Sequence, residues 1–364
     1  MIHNTTATGR KVVYREGVVS HKKLFVAIAY MLASVVFLIT ASCARDSGAG
    51  EAITGQGRTE MKEQHVTWDK SYGGADKSYD TELLRLREQI APKFKTLEFS
   101  DEETGKTMVY NLYVPAGYDK SKSYPLVLFM ADASTVGKGP EAPLKQGYGG
   151  IIWATPESQA EHPCFVLVPA YAGPEPVVND NWETSDEVEM TLRLLHSVVS
   201  QYSIDADRLY TTGQSMGGMI SFYLDATHPD LFAASLFVGS QWDISVLAPL
   251  AHEKFFYVVS AGDPKASVGM QELGELLEEK GVAYGTKQFS ARLPQAEQEN
   301  QIQALVGEGH SINFVQFDQG TVMPTGAEGG GGEHMYSFDC AYRLKGVRDW
   351  LFEQSKAPCD GQPQ

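Results

Sequence analysis

The chain has 364 residues, 43% of them hydrophobic and 10% aromatic, enough apolar material for a substantial core in one large domain or two ordinary ones. A formal net charge of −16, with no cluster of Lys and Arg, argues against nucleic acid or an anionic membrane surface as a partner, because phosphate recognition draws on grouped cations. The acidic surplus reads most simply as solubility.

At the start of the chain, Lys22 and Lys23 precede an uncharged apolar run from Leu24 to Ile39, followed by small residues. This pattern predicts an export signal over 1–43; the run is near the lower length limit of a membrane span, so a permanent single-helix anchor is the competing reading. Cys43 follows Thr40-Ala41-Ser42 and resembles the acylated cysteine of bacterial lipoproteins, although Thr40 stands where that motif prefers Leu, Val or Ile. A lipid anchor through Cys43 and ordinary cleavage near Ala44 are therefore both open. Residues 44–60 read as a tether, and 61–92 as an N-terminal extension holding one charged helix, "DTELLRLREQI". Either reading of the signal puts the folded part outside the cytoplasm. The body of the protein is expected over 93–356, with a tail at 357–364.

From about Thr96 the chain alternates strands and helices. The runs "KTMVYNLYVP", "PLVLFMA", "CFVLVPAY", "RLYTTG", "AASLFVGS", "FFYVVSAG" and "INFVQF" are short, β-branched or aromatic, and end in turn residues. Helical periodicity separates several of them: Ser185 to Gln201, Met216 to His228, Met270 to Lys280, and Tyr342 to Gln354. Hairpin-like strands followed by βαβ units predict an α/β protein with a mostly parallel central sheet and helices on both faces. Such sheets hold ligands at the carboxyl ends of their strands.

One of those ends carries Gly213-Gln214-Ser215-Met216-Gly217, with Gly218 behind it, between a strand and a helix. Small residues let the chain reverse sharply and leave the Ser215 hydroxyl exposed at the corner, as a nucleophile requires. The free N–H of Met216, at the positive end of the helix, would stabilise a negative oxygen. A serine hydroxyl needs a histidine to take its proton and a carboxylate to orient that histidine. Asp263, in a Gly-Asp-Pro turn after "FFYVVSA", is the expected acid, with Asp243 in "GSQWD" its competitor. His310 and His334 are the histidines beyond Asp263. His310 precedes the strand "INFVQF", at its amino end, whereas His334 follows it after a glycine run and before the final helix, so His334 is the expected base. A second oxyanion donor is expected from Ala131-Asp132-Ala133, after "PLVLFM", and Ala133 is the choice. Trp153, Trp182 and Trp242 lie near predicted strand ends and either line a substrate pocket or belong to the core.

Cys164, Cys340 and Cys359 permit one disulfide in an exported chain without requiring it; a helix between Cys340 and Cys359 would hold that pair too far apart. There is no CxxC pair and no HExxH, so neither a metal nor another cofactor is expected.

Three stretches, "YPLVLFMADAS", "DADRLYTTGQSMGGMISFYLDATHPDLFAASLFVGSQWD" and "GEHMYSFDCAYRLKGVRDWLFEQ", resemble the α/β-hydrolase group of exported bacterial esterases similar to poly(3-hydroxybutyrate) depolymerases, feruloyl esterases and the prolyl-oligopeptidase catalytic domain. The resemblance runs from about Phe94 to Gln354 and implies Ser215 as nucleophile, Asp263 as acid, His334 as base, and Met216 and Ala133 as oxyanion donors. Ala131 stands where relatives usually carry histidine, which leaves the shape of that loop open. The implied activity is hydrolysis of a carboxylic ester, on a small molecule or a polymer, through an acyl-enzyme. A peptidase of prolyl-oligopeptidase type is the alternative, weakened by the few residues ahead of the first strand in place of a gating propeller. A binding protein without turnover is a third reading, opposed by a complete serine, acid and histidine set. The natural substrate and the oligomeric state are left open.

Overall fold

The structure, a computed structural model, describes residues 68–327 and 331–356. The expected signal, Cys43, the tether, Cys359 and the tail lie outside the described residues. Among the described residues, no helix is long and apolar enough to cross a membrane.

Nine strands form one sheet: β1 Lys95–Ser100, β2 Thr107–Tyr113, β3 Tyr124–Met130, β4 Phe165–Ala170, β5 Ile204–Gln214, β6 Ala234–Val238, β7 Phe255–Ser260, β8 Gly285–Phe289 and β9 Ile312–Phe317. Their spatial order is β1-β2-β4-β3-β5-β6-β7-β9-β8. The β1–β2 and β2–β4 pairings are antiparallel and every other pairing is parallel. The α-helices in chain order are α1 Thr81–Ile90, α2 Ala142–Lys145, α3 Pro156–Glu161, α4 Asp186–Gln201, α5 Met216–Thr227, α6 Ala266–Glu279, α7 Gln295–Val306, α8 Gly332–Arg343 and α9 Lys345–Glu353.

The central strands are continuous apolar runs because both of their faces are covered. Along β7, Phe255, Tyr257 and Val259 pack with α4, α5 and α6, while Phe256 and Val258 point to the other face, which is covered by α1, α8 and α9. The same alternation runs through Leu126, Val127, Leu128, Phe129 and Met130 of β3. Two hydrophobic cores therefore share one sheet and fix its register, since a slip of one residue would exchange their contents. The edge strands are built differently: β1 (KTLEFS) has no buried residue, and β8 (GTKQF) buries only its two ends. Charges such as Lys95, Glu98 and Lys287 at these edges discourage pairing with another chain.

The helix expected over Tyr342 to Gln354 is interrupted. Leu344 adopts an extended conformation between α8 and α9. The Glu299 carboxylate on α7 accepts the Lys345 and Gly346 N–H groups at 2.7 and 2.8 Å, capping α9 from outside its own sequence. The described part of the N-terminal extension begins at Trp68, and its helix α1 starts with Asp80 accepting the Leu83 N–H at 2.9 Å. Arg87 of α1 lies over the Trp68 ring at 4.8 Å and donates to the Lys145 carbonyl at 3.3 Å, so the extension is held to the body by stacking as well as by polar contacts.

Candidate active site

β3, β5, β7 and β9 are parallel, and their carboxyl ends deliver four loops to one edge of the sheet. Between the end of β5 at Gln214 and the start of α5 at Met216, Ser215 takes φ 51° and ψ −120°, a left-handed region in which a non-glycine residue is strained. Close packing enforces the turn. A Cβ on Gly213 would lie 2.2 Å from the Gly217 carbonyl, one on Gly217 1.9 Å from the Met130 oxygen, and one on Gly218 2.2 Å from Ser240 Oγ. The glycines thus let the head of α5 seat directly on the end of β3. Because the atom opposing Gly217 is main-chain oxygen, Gly217→Ala is expected to destabilise the fold by about 3 kcal/mol in urea unfolding; a change below about 0.5 kcal/mol would mean that α5 is not seated this way.

His334 Nε2 lies 2.8 Å from Ser215 Oγ, and its Nδ1 lies 2.6 Å from Asp263 Oδ2. Asp263 is buried, and its Oδ1 accepts the Lys265 and Ala266 N–H groups at 3.1 and 3.2 Å. Burial acts to raise the Asp263 pKa, but the hydrogen bond and charge of His334 and the two backbone donors outweigh it and hold the carboxyl below its usual range. His334 stands in the first turn of α8, not in the loop ahead of a helix as the sequence suggested, because α8 begins at Gly332. Its neighbour Glu333 is buried and accepts from Ser260 Oγ at the end of β7 and from the Gly320 N–H after β9. This carboxylate ties the base's helix to the turn that carries the acid. Asp243 instead caps a short 3₁₀ turn, accepting the Ser245 N–H at 3.0 Å. His310 precedes β9, with Nε2 3.8 Å from Glu308.

Met216 is the first residue of α5, and Ala133 opens a 3₁₀ turn, Ala133–Thr135. Among the described residues neither N–H has a protein acceptor, so both are free to donate. Asp132, just ahead of Ala133, is buried and accepts the Ser134 N–H at 2.8 Å through Oδ1 and Gln214 Nε2 at 2.9 Å through Oδ2. Sequence reasoning did not single out the side chains of Asp132, Gln214 or Gln146, to which Gln214 also donates at 3.0 Å.

The three tryptophans separate. Trp153 is fully buried, donates to the Gly149 carbonyl at 2.9 Å and packs edge-on against Tyr342 and Phe352. It belongs to the core, and its expected place in a substrate pocket is corrected. Trp242 is also buried, between Trp182 and Tyr223, and presents almost no surface. Trp182, at φ 64°, is 39% exposed. Its loop is joined to the acid's turn by the exposed Asp180–Lys265 ion pair at 2.6 Å.

Cys164 is a free, buried thiol whose pKa burial pushes up to about 12, in keeping with a plain core residue. Among the described residues, Glu161, His162 and Asp349 could together approach a metal, but the Lys345 ammonium lies 2.6 Å from both carboxylates, pairs with each and offsets one of their two charges.

The family model described as putative esterase matches residues 101–265, from the β1–β2 turn through the acid's turn. A thermostable esterase of solved structure is 24% identical with a TM-score of 0.58, over 73% of this chain and 64% of its own. The chain has the α/β-hydrolase fold. It spans just under two thirds of that thermostable esterase. The feruloyl esterase module from Clostridium thermocellum, as an S954A mutant complexed with sinapinate, is 13% identical with a TM-score of 0.46, over 74% of this chain and 91% of that one. A ferulic acid esterase from Anaeromyces mucronatus is 13% identical with a TM-score of 0.45, over 69% and 89%. No curated protein matches the chain.

Proposed function

We propose that this α/β-hydrolase is an exported serine esterase that cleaves carboxylic esters through an acyl-enzyme, with Ser215 as nucleophile, His334 as base and Asp263 as the acid. The observation that carries the reading is the continuous hydrogen-bonded chain of 2.8 and 2.6 Å from the Ser215 hydroxyl through the imidazole to a buried carboxylate. Ser215 Oγ attacks the ester carbonyl carbon while its proton passes to His334 Nε2. Asp263 accepts from Nδ1–H, which fixes the tautomer and stabilises the imidazolium that forms. The N–H groups of Met216 and Ala133 receive the negative oxygen of the tetrahedral intermediate. Collapse breaks the ester C–O bond, and the leaving alcohol takes the proton from His334. Water then attacks the acyl carbon while giving a proton to His334, the bond from that carbon to Ser215 Oγ breaks, and His334 returns the proton to Oγ as the acid leaves. Trp182 offers apolar surface to one substituent of the ester.

An organophosphonate that reacts with activated serines is expected to add one adduct, located on Ser215 by peptide mass spectrometry, and to add none to Ser215→Ala. Equal labelling of both proteins would remove Ser215 from the reaction. A panel of short and long acyl esters, feruloyl esters, hydroxybutyrate oligomers and proline peptides is expected to show turnover of esters and not of peptides. Export is read from the mature N-terminus, where mass spectrometry distinguishes a lipidated Cys43 from cleavage near Ala44.

A further inference from the structure

Four residues next to the candidate oxyanion donors form a closed circuit, in which one link is the Ser134 main-chain N–H. Asp132 Oδ1 accepts the Ser134 N–H at 2.8 Å, Ser134 Oγ accepts Gln146 Nε2 at 3.3 Å, Gln146 Oε1 accepts Gln214 Nε2 at 3.0 Å, and Gln214 Nε2 returns to Asp132 Oδ2 at 2.9 Å. Ala133 sits inside this circuit, between Asp132 and Ser134. Met216 is two residues beyond Gln214, with the strained Ser215 between them. The loop after β3 and the turn after β5 are therefore fastened to each other by side chains, in addition to the seating of Gly217 on Met130.

The circuit is also anchored from outside. Ser134 Oγ accepts the Gly74 N–H of the N-terminal extension at 2.8 Å. Lys77, 1% exposed, donates to the Gln146 carbonyl at 3.1 Å and pairs with Asp339 at 2.7 Å, on the same helix as His334. Both Gln214 Nε2 protons are spent on Asp132 and Gln146, and this orientation leaves Gln214 Oε1 buried without a partner. An orphaned buried carbonyl is destabilising, so a packing role alone would favour an apolar residue here. Holding the two acceptors in place is what the amide does in return.

We infer that Asp132, Gln214 and Gln146 are positioning residues that set the spacing of the Ala133 and Met216 N–H groups. This rests on the proposed serine mechanism. It predicts a directional dependence, because each link has a defined donor and acceptor. Asp132→Asn places an amide against the Gln214 amide, and turning Gln214 over to accept it buries an NH₂ group without an acceptor where the carbonyl now lies, so the link is weakened. Adding Gln214→Glu reverses the polarity. The amide introduced at position 132 then donates to the carboxylate introduced at position 214, and a flipped Gln146 donates to that same carboxylate. The Ser134 hydroxyl, a donor as well as an acceptor, closes the circuit.

The test is kcat and KM on p-nitrophenyl acetate, the inhibition constant of a trifluoromethyl ketone, whose adduct carries an oxyanion, and the unfolding midpoint, for the full chain and its variants. Asp132→Asn is expected to lower kcat about 10- to 100-fold, with KM changed less than about threefold and the ketone weakened in parallel with kcat. The Asp132→Asn/Gln214→Glu pair is expected to recover to within about fivefold of wild type. Ser134→Ala, at the half-buried side of the circuit, keeps the test open if Asp132→Asn does not fold, and is expected to lower kcat about threefold. The inference is overturned if Asp132→Asn folds and keeps kcat within twofold, if the ketone binds it as tightly as wild type, if the folded double variant stays as slow as the single, or if Ser134→Ala has wild-type kcat. Phosphonate labelling of wild-type Ser215 separates the two claims: labelling with unaffected variants sinks only the circuit, whereas an unlabelled wild type sinks the serine mechanism.

Discussion

Replacing Ser215 by alanine is expected to lower kcat on p-nitrophenyl acetate by about 10⁴-fold or more, because the residual rate comes only from binding and the oxyanion donors once the nucleophile is gone. The fold should be unharmed, since the hydroxyl projects from a turn held by glycine contacts rather than by its own side chain. A second measurement at the same position separates the nucleophile from its strain. At φ 51° and ψ −120° a residue with a Cβ costs roughly 1–3 kcal/mol, and glycine does not. Ser215→Gly should therefore be as inactive as Ser215→Ala but more stable than it by about 1 kcal/mol, after allowing for the greater unfolded-chain freedom of glycine. Equal stability of the two inactive variants would mean that the turn stores no strain. Retained turnover in either would mean that another group attacks the ester.

A sequence carries some of the physical signals of this fold and not others. The buried parallel strands were legible because two covered faces force uninterrupted apolar runs, and the turn at Ser215 was legible because only glycine tolerates contacts of 1.9 to 2.2 Å. The edge strands β1 and β8 were not, since solvent on one side and the need to resist pairing make them polar. Helix α7 escaped notice for a related reason: only Ile302 and Leu305 of its twelve residues are buried. The break at Leu344 depends on Glu299, far away in the chain, and no local propensity announces it. Trp153, Trp182 and Trp242 all looked alike as aromatic residues near strand ends, and only packing distinguishes a core residue from one with a free face. The Asp132, Gln214 and Gln146 circuit and the Glu333 tether join segments that have no sequence relation to one another. They concern how finely the site is held, whereas the motif concerns which groups are present.

Asp263→Asn tests that difference between presence and orientation. Asparagine keeps the shape and can still accept the Lys265 and Ala266 N–H groups through its carbonyl, but its amide would then face His334 Nδ1 as a donor. The imidazole is driven to the tautomer with its proton on Nε2, where it can no longer take one from Ser215, and kcat is expected to fall by about 10⁴-fold at neutral pH. The same carboxylate carries a stability signature whose sign is fixed. Its pKa in the folded protein is below the usual aspartate value of about 3.9, so its contribution is fully present above that value and is lost as pH falls through the folded pKa. The wild type should therefore lose stability more steeply than Asp263→Asn on acidification from about pH 5 to pH 2, and the gap between their urea-unfolding free energies should narrow across that window. Parallel curves would show that the charge of Asp263 is not held by His334. A turnover loss of less than about tenfold would show that the carboxylate is not what sets the tautomer of the base.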